Sequence, residues 1–207
     1  MRPEYRWAYL RGSCCGRYRK RVELTTWAGE LAARRLSQRL PRRWAHVQGV
    51  CRRVRAAGRL FAPTDADLLA AAGLVHDIGY APELVDTGLH SLDGARYLRS
   101  VEAPQRLCAL VAHHSAAYLE AGLRGLGDEL ADWADERTAL RDALWWADMT
   151  TSPDGDVVSF EERVIEIRQR YGPDEVVSRC VQLARQELEG AINRTEDRLW
   201  EAGVDYV

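Results

Sequence analysis

Residues 71–80 read AAGLVHDIGY, and the interpretation of this stretch decides the fold. Its first half has the composition of a buried helix. An imidazole and a carboxylate, His76 and Asp77, then stand side by side at the end of the apolar run. Titratable groups seldom enter a core without a partner. The rest of the chain must supply that partner.

Working outward, PTDADLLAAAGLVHD carries a helix start at Thr64, with Asp65 and Asp67 in the first turn. Gly79 is placed as the stop. Upstream, VELTTWAGELAARRLSQRL aligns Leu24, Trp27, Leu31 and Leu36 near one face, with Pro41 as its end. RRWAHVQGVCRRVRAAGRL follows, with a stripe of Trp44, Val47, Cys51 and Val54. Downstream, past a loop with Pro82 and Gly88, come SLDGARYLRSV, PQRLCALVAHHSAAYLEAG, RTALRDALWWADMTT, SFEERVIEIRQRYG and a long carboxy-terminal helix. No segment alternates as a strand does, no period repeats, and no linker separates two cores. The expectation is one all-α helical bundle over residues 22–207. Residues 1–21 show no apolar period and are expected to form a flexible basic extension.

The 207 residues are 46% hydrophobic and 29% charged, a soluble balance. No apolar run reaches bilayer length and no signal peptide is visible, so a cytoplasmic protein without membrane contact is expected. Cys14, Cys15, Cys51, Cys108 and Cys180 form no C-x-x-C pair, and the last three fall in apolar-periodic segments. They read as buried thiols, not as a disulfide framework or a zinc finger. Lys20 is the single lysine, a mark of genome composition. Residues 1–62 carry 16 basic and 3 acidic groups, whereas residues 63–207 carry 13 and 28. That asymmetry fits Arg-rich helix faces in water, an anionic-substrate funnel or a nucleic-acid arm.

The chain has five histidines: His46, His76, His90, His113 and His114. Any one of them alone on an apolar face is ordinarily a satisfied core histidine. Their joint placement says more. His76 shares a helical face with Leu69, Ala72 and Gly73. His114 shares one with Leu107, Leu110 and Val111, which rotates His113 away toward Arg106. Asp148 shares one with Leu140 and Leu144, and His46 sits at the edge of the Trp44–Val47–Val54 stripe. Three helices thus aim a His or Asp inward, and a fourth brings one to the edge. Isolated, each group would be costly; converging on a cation, they satisfy one another. Imidazole and carboxylate donors without thiolate suit Fe, Mn, Zn, Co or Ni, and argue against a structural zinc site.

The order His46, then His76-Asp77, then Asp148, all on helices, resembles the HD-domain metal-dependent phosphohydrolase superfamily, over roughly residues 40–155. HDIGY is similar to its central motif. The resemblance implies that His46, His76, Asp77 and Asp148 hold one metal. It implies that His90, from GLHSLDGARYL, and His114, from VAHHS, complete a second, with Asp77 bridging. His113 is the weaker candidate by its phase. Two departures stand out. The Gly-Tyr-Pro signature of the superfamily's cyclic-dinucleotide phosphodiesterases is replaced by HHSAAYLEAGLRG, which weighs against that substrate class. Tyr80 also stands where many relatives carry a lysine.

The implied cofactor is therefore a divalent transition metal, two ions in all, with Asp77 and His76 at the catalytic centre. The implied substrate is a small phosphorylated molecule, a nucleotide first. Arg43, with Arg42, lies on the face of His46 and is the candidate phosphate contact, although an arginine solvated beside Trp44 is an equal reading. Thr151 and Ser152 either line the pocket mouth or simply close a helix. Two other functions use the same features. An HD-fold di-iron oxygenase acting on an inositol- or phosphonate-like substrate would need the same six ligands. A non-catalytic module binding nucleic acid through its basic amino-terminal half ranks last, because the ligand set is complete.

Overall fold

The structure, a computed structural model, describes residues 23–206. The extension expected over residues 1–21 lies outside these residues. Ten helices follow in order: α1 (Leu24–Leu36), α2 (Pro41–Ala57), α3 (Pro63–Val75), α4 (His90–Ser100), α5 (Gln105–Ala112), α6 (Ala117–Arg124), α7 (Gly127–Leu130), α8 (Ala139–Met149), α9 (Phe160–Tyr171) and α10 (Val176–Glu201). Among the described residues the only extended pairing is one antiparallel bridge, Thr151 with Val157. The architecture is all-α, as expected.

α3 is the central element, packed against α1, α2, α5 and α8. Its sequence explains that position. Every residue from Leu68 to Val75 is buried, and a helix apolar all round belongs inside. α8 forms the second axis, packed on α2, α3 and α10, with Trp145 and Trp146 wholly buried. Cys51, Cys108 and Cys180 are buried free thiols. No helix among the described residues is long and apolar enough to cross a membrane.

Several boundaries differ from the sequence reading. Pro63, not Thr64, opens α3, and Pro41 opens α2 instead of merely ending α1. Proline suits the first helical turn, where a backbone N–H has no partner in any case. Asp67 does not serve its own helix; its carboxylate accepts from the backbone N–H groups of Leu24 and Thr25 at 3.2 and 3.1 Å and so caps α1.

α3 ends at Val75, before the His-Asp pair, and Gly79 is not its left-handed stop. Gly79 lies in a short 3-10 turn, Ile78–Tyr80, pressed against the start of α4. A Cβ there would stand 2.0 Å from the His90 carbonyl oxygen and 2.6 Å from Gly94 N. Glycine is needed at this position for close approach. The helix expected through residues 104–122 is also broken. Ser115 (φ 47, ψ 45) and Ala116 (φ 60, ψ 32) are left-handed, separating α5 from α6.

Candidate metal centre

The sequence-derived residues meet at one place. α2 contributes His46, the end of α3 His76 and Asp77, the start of α4 His90, the α5–α6 break His114, and the end of α8 Asp148. All are buried except His90, whose side chain is 18% exposed. His46, expected at the edge of its stripe, is fully inside.

Asp77 stands at the middle. Its Oδ2 lies 3.7 Å from His46 Nε2 and 3.5 Å from His76 Nε2. Its Oδ1 lies 3.4 Å from His90 Nε2 and 3.8 Å from His114 Nε2. Each carboxylate oxygen therefore faces its own histidine pair. Asp148 Oδ1 completes the first group, 3.0 Å from His46 Nε2 and 3.7 Å from His76 Nε2.

Backbone carbonyls fix the rings. Nδ1 of His46, His76 and His114 lies 3.0, 2.9 and 2.6 Å from the carbonyl oxygens of Ser152, Gly73 and Val111. A carbonyl only accepts, so each Nδ1 carries a proton, and the Nε2 of each ring faces the cluster. Gly49 and Gly155 make the Ser152 contact possible. A Cβ on Gly49 would stand 2.5 Å from Gly155 O, so only glycine lets the 151–157 loop close onto α2.

The chain fits a cation here. His76 Nε2 is buried without a hydrogen-bond partner, and buried polar atoms seldom lack one. Two groups, His46–His76–Asp77 and Asp77–His90–His114, have donor atoms within 4.8 Å of one another, and either could hold an ion. The donors are all imidazole nitrogen and carboxylate oxygen, which suits a divalent transition metal.

Protonation agrees. Burial lowers the pKa of His46 and His114, and pushes His90 down to about 3. Burial also pulls on His76, but the charges of Asp77 and Asp148 and the hydrogen bonds outweigh it, and its pKa rises. Burial would raise Asp77, yet Arg43 and His76 hold it well below the usual carboxylate range. Asp148 is held low in the same way, by its hydrogen bond to His46 and the charge of His76. Ionised carboxylates and neutral imidazoles are the forms that bind metal, so His76 is the one ring of the cluster that must give up a proton to an incoming ion.

Residues around the cluster were less legible. Arg43 is in the site, but its Nη1 donates to Asp77 Oδ2 at 2.6 Å and its guanidinium lies 4.1 Å over the Tyr80 ring. Tyr80 in turn stacks on His90, centroids 4.1 Å apart. Arg42 faces away and pairs with Asp154. His113 is outside the cluster, its Nε2 bonded to the Trp133 carbonyl at 2.8 Å. Thr151 does not line a mouth; it is buried, with its hydroxyl donating back to Ala147 O. The sequence reading missed three residues. Ser115 Oγ donates to Asp148 Oδ2. Buried Arg163 on α9 brings Nη2 to 4.0 Å from Asp148 Oδ1. Asp93 accepts from the backbone N–H groups of Asp86, Thr87 and Gly88, shaping the loop that delivers His90. Nothing local in the sequence marks Ser115 or Arg163 for the site.

The positive φ values at Ser115 and Ala116 are costly, roughly 1–2 kcal/mol for each L-residue so placed. Such strain persists where the surroundings over-determine it.

The model of the HD domain matches residues 33–157. The chain belongs to the HD-domain family. That family is a superfamily of metal-dependent phosphohydrolases, and the matched span holds all six cluster residues. The HD-domain protein thus has, in its buried His and Asp groups, residues that could hold the divalent metal its family uses. Arg163 lies beyond the matched span. No curated protein and no solved structure matches the chain.

Proposed function

We propose that this HD-domain protein is a two-cation phosphohydrolase acting on a nucleotide or a related small phosphate ester. One observation carries the reading: Asp77 turns one carboxylate oxygen to His46 and His76 and the other to His90 and His114. A bridging carboxylate between two histidine pairs is the arrangement a two-ion site needs. In this reading His46, His76, Asp77 and Asp148 hold one cation, and Asp77, His90 and His114 the other. Bound divalent cations lower the pKa of water and neutralise phosphoryl oxygens.

The chain's own residues supply the rest. Asp77 and His76 form the reacting centre, where burial excludes bulk water. Arg43 and His90 are its more exposed members, with side chains 15% and 18% accessible, and mark the side from which a phosphate enters. Arg43 offers the guanidinium donors that grip phosphoryl oxygens.

The test is metal analysis of protein purified without chelator, then phosphate release from mononucleotides, dinucleoside polyphosphates and cyclic nucleotides. The expected result is about two ions per chain and metal-dependent release from one substrate class. Oxygen uptake with mixed-valence iron and no phosphate release would replace this reading with the di-iron oxygenase.

A further inference from the structure

The break between α5 and α6 does something a helix cannot. Successive helical side chains point about 100° apart, so one helix cannot turn two neighbours onto one cluster. Here His114 brings Nε2 to 3.8 Å from Asp77 Oδ1, while the next residue, Ser115, places its hydroxyl on Asp148 Oδ2. The left-handed backbone at Ser115 and Ala116 makes both contacts possible.

Groups other than Ser115 hold this geometry. Trp145 Nε1 donates to the His113 carbonyl at 2.9 Å, and His113 Nε2 is pinned to Trp133 O at 2.8 Å. His114 Nδ1 is tied to Val111 O at 2.6 Å. The kink therefore does not depend on the serine hydroxyl. Among the described residues the Ser115 hydroxyl bonds to Asp148.

The terminal torsion of Asp148 is broad, as for any carboxylate, and apart from Ser115 its hydrogen-bond partner is His46 Nε2, 3.0 Å from Oδ1. Its Oδ1 must face His46 and His76, at 3.0 and 3.7 Å, to join their group. Engaging Oδ2 from the opposite side fixes that orientation. We infer that Ser115 is a positioning residue: its hydroxyl, delivered by the left-handed kink, locks Asp148 so that Oδ1 alone is presented to the cation of the His46–His76–Asp77 group. The inference rests on the two-cation reading and adds to it the residue that orients one ligand. Groups that orient a metal ligand typically alter metal affinity by about ten- to a hundredfold when removed.

The experiment is calorimetric titration of Mn²⁺ into chelator-treated full-length protein, paired with thermal melts. Ser115→Ala and Ser115→Gly both delete the hydroxyl, but glycine relieves the positive φ. Ser115→Thr keeps the hydroxyl and worsens the backbone fit. The expected result is that Ala and Gly variants weaken one binding step by about ten- to a hundredfold and leave the other unchanged. Gly should melt above Ala, and Thr should keep wild-type affinity while melting lowest. Stability and affinity would then move independently, which a purely structural serine does not allow. Ala and Gly variants that bind both ions as tightly as wild type would overturn the inference while leaving the metal site standing. Wild-type protein that binds no Mn²⁺ would overturn both, and the two failures are distinguishable.

Discussion

Arg43 Nη1 donates to Asp77 Oδ2 at 2.6 Å, onto the same oxygen that faces His46 and His76. Both side chains are largely buried, 15% and 4% exposed, so the pair is poorly screened. A guanidinium in this position neutralises the central carboxylate, and in the proposed reading it is also the contact for an incoming phosphate.

Arg43→Met should therefore separate two roles. Removing one partner of a buried pair costs about 3–5 kcal/mol. In chelator-treated protein the expected loss, read by urea unfolding, is of that order. Bound Mn²⁺ supplies positive charge to Asp77 and should recover part of it. A variant as stable as wild type in chelator would show that Arg43 does not neutralise Asp77.

The adjacent histidines should respond differently. His114→Ala should lower metal stoichiometry from about two ions toward one and sharply reduce phosphate release. His113→Ala should leave stoichiometry intact but lose roughly 1–3 kcal/mol, because its contact is the buried Trp133 carbonyl. Metal analysis and unfolding curves on the pair check this. Equal effects from both variants would contradict the division of roles.

The helical periods and the inward placement of His76, His114 and Asp148 were readable because burial imposes a 3.6-residue pattern on sequence, whereas His46 was expected only at the edge of its stripe and is buried. His114 came out correctly although its helix is broken there, since α5 keeps its phase up to Ala112. What the sequence could not carry was tertiary. Nothing local marks Ser115 for a left-handed conformation; the contacts that flank the kink, Trp145 and Trp133 with residue 113, come from elsewhere in the chain. Arg163 approaches Asp148 from a different helix, α9, and its distance from the motif in sequence hides the contact. Asp67 read as a first-turn acidic residue of its own helix because the start of α1, which it caps, is distant along the chain.

The metal-free protein should lose stability as pH falls below about 6.5. His46, His90 and His114 have folded-state pKa values depressed by burial, His90 to about 3. Each takes a proton in the unfolded chain near pH 6.5 and resists it in the fold, so acid favours unfolding. His90 should contribute roughly 1.4 kcal/mol per pH unit in that window, and His46 and His114 act in the same direction. His76 has the opposite sign: its raised pKa stabilises the fold below 6.5 and that contribution fades as pH rises through the folded value. Asp77 and Asp148, held low, add a further loss once pH falls below about 3.8. Below 6.5 the His76 contribution is constant, so the three depressed histidines give a net fall from pH 6.5 toward 5. Urea midpoints in chelator that stay flat across this interval would mean that the imidazoles are not held neutral.

Gly79→Ala is the sharpest test of how the fold builds the second histidine pair. The added Cβ would meet the His90 carbonyl oxygen at 2.0 Å and Gly94 N at 2.6 Å, both backbone atoms that cannot swing aside. The 78–80 turn and the start of α4 must therefore part. That movement carries His90 away from Asp77 Oδ1, now 3.4 Å distant, and loosens its stacking on Tyr80. Overpacking of this kind costs about 1–3 kcal/mol. The expected variant is folded but destabilised by that amount, with one cation bound at near wild-type affinity through His46, His76 and Asp148 and the other lost. Calorimetry with Mn²⁺ and a urea melt read the two effects on the same sample. If the variant keeps both ions, the contact between Gly79 and α4 does not set the position of His90.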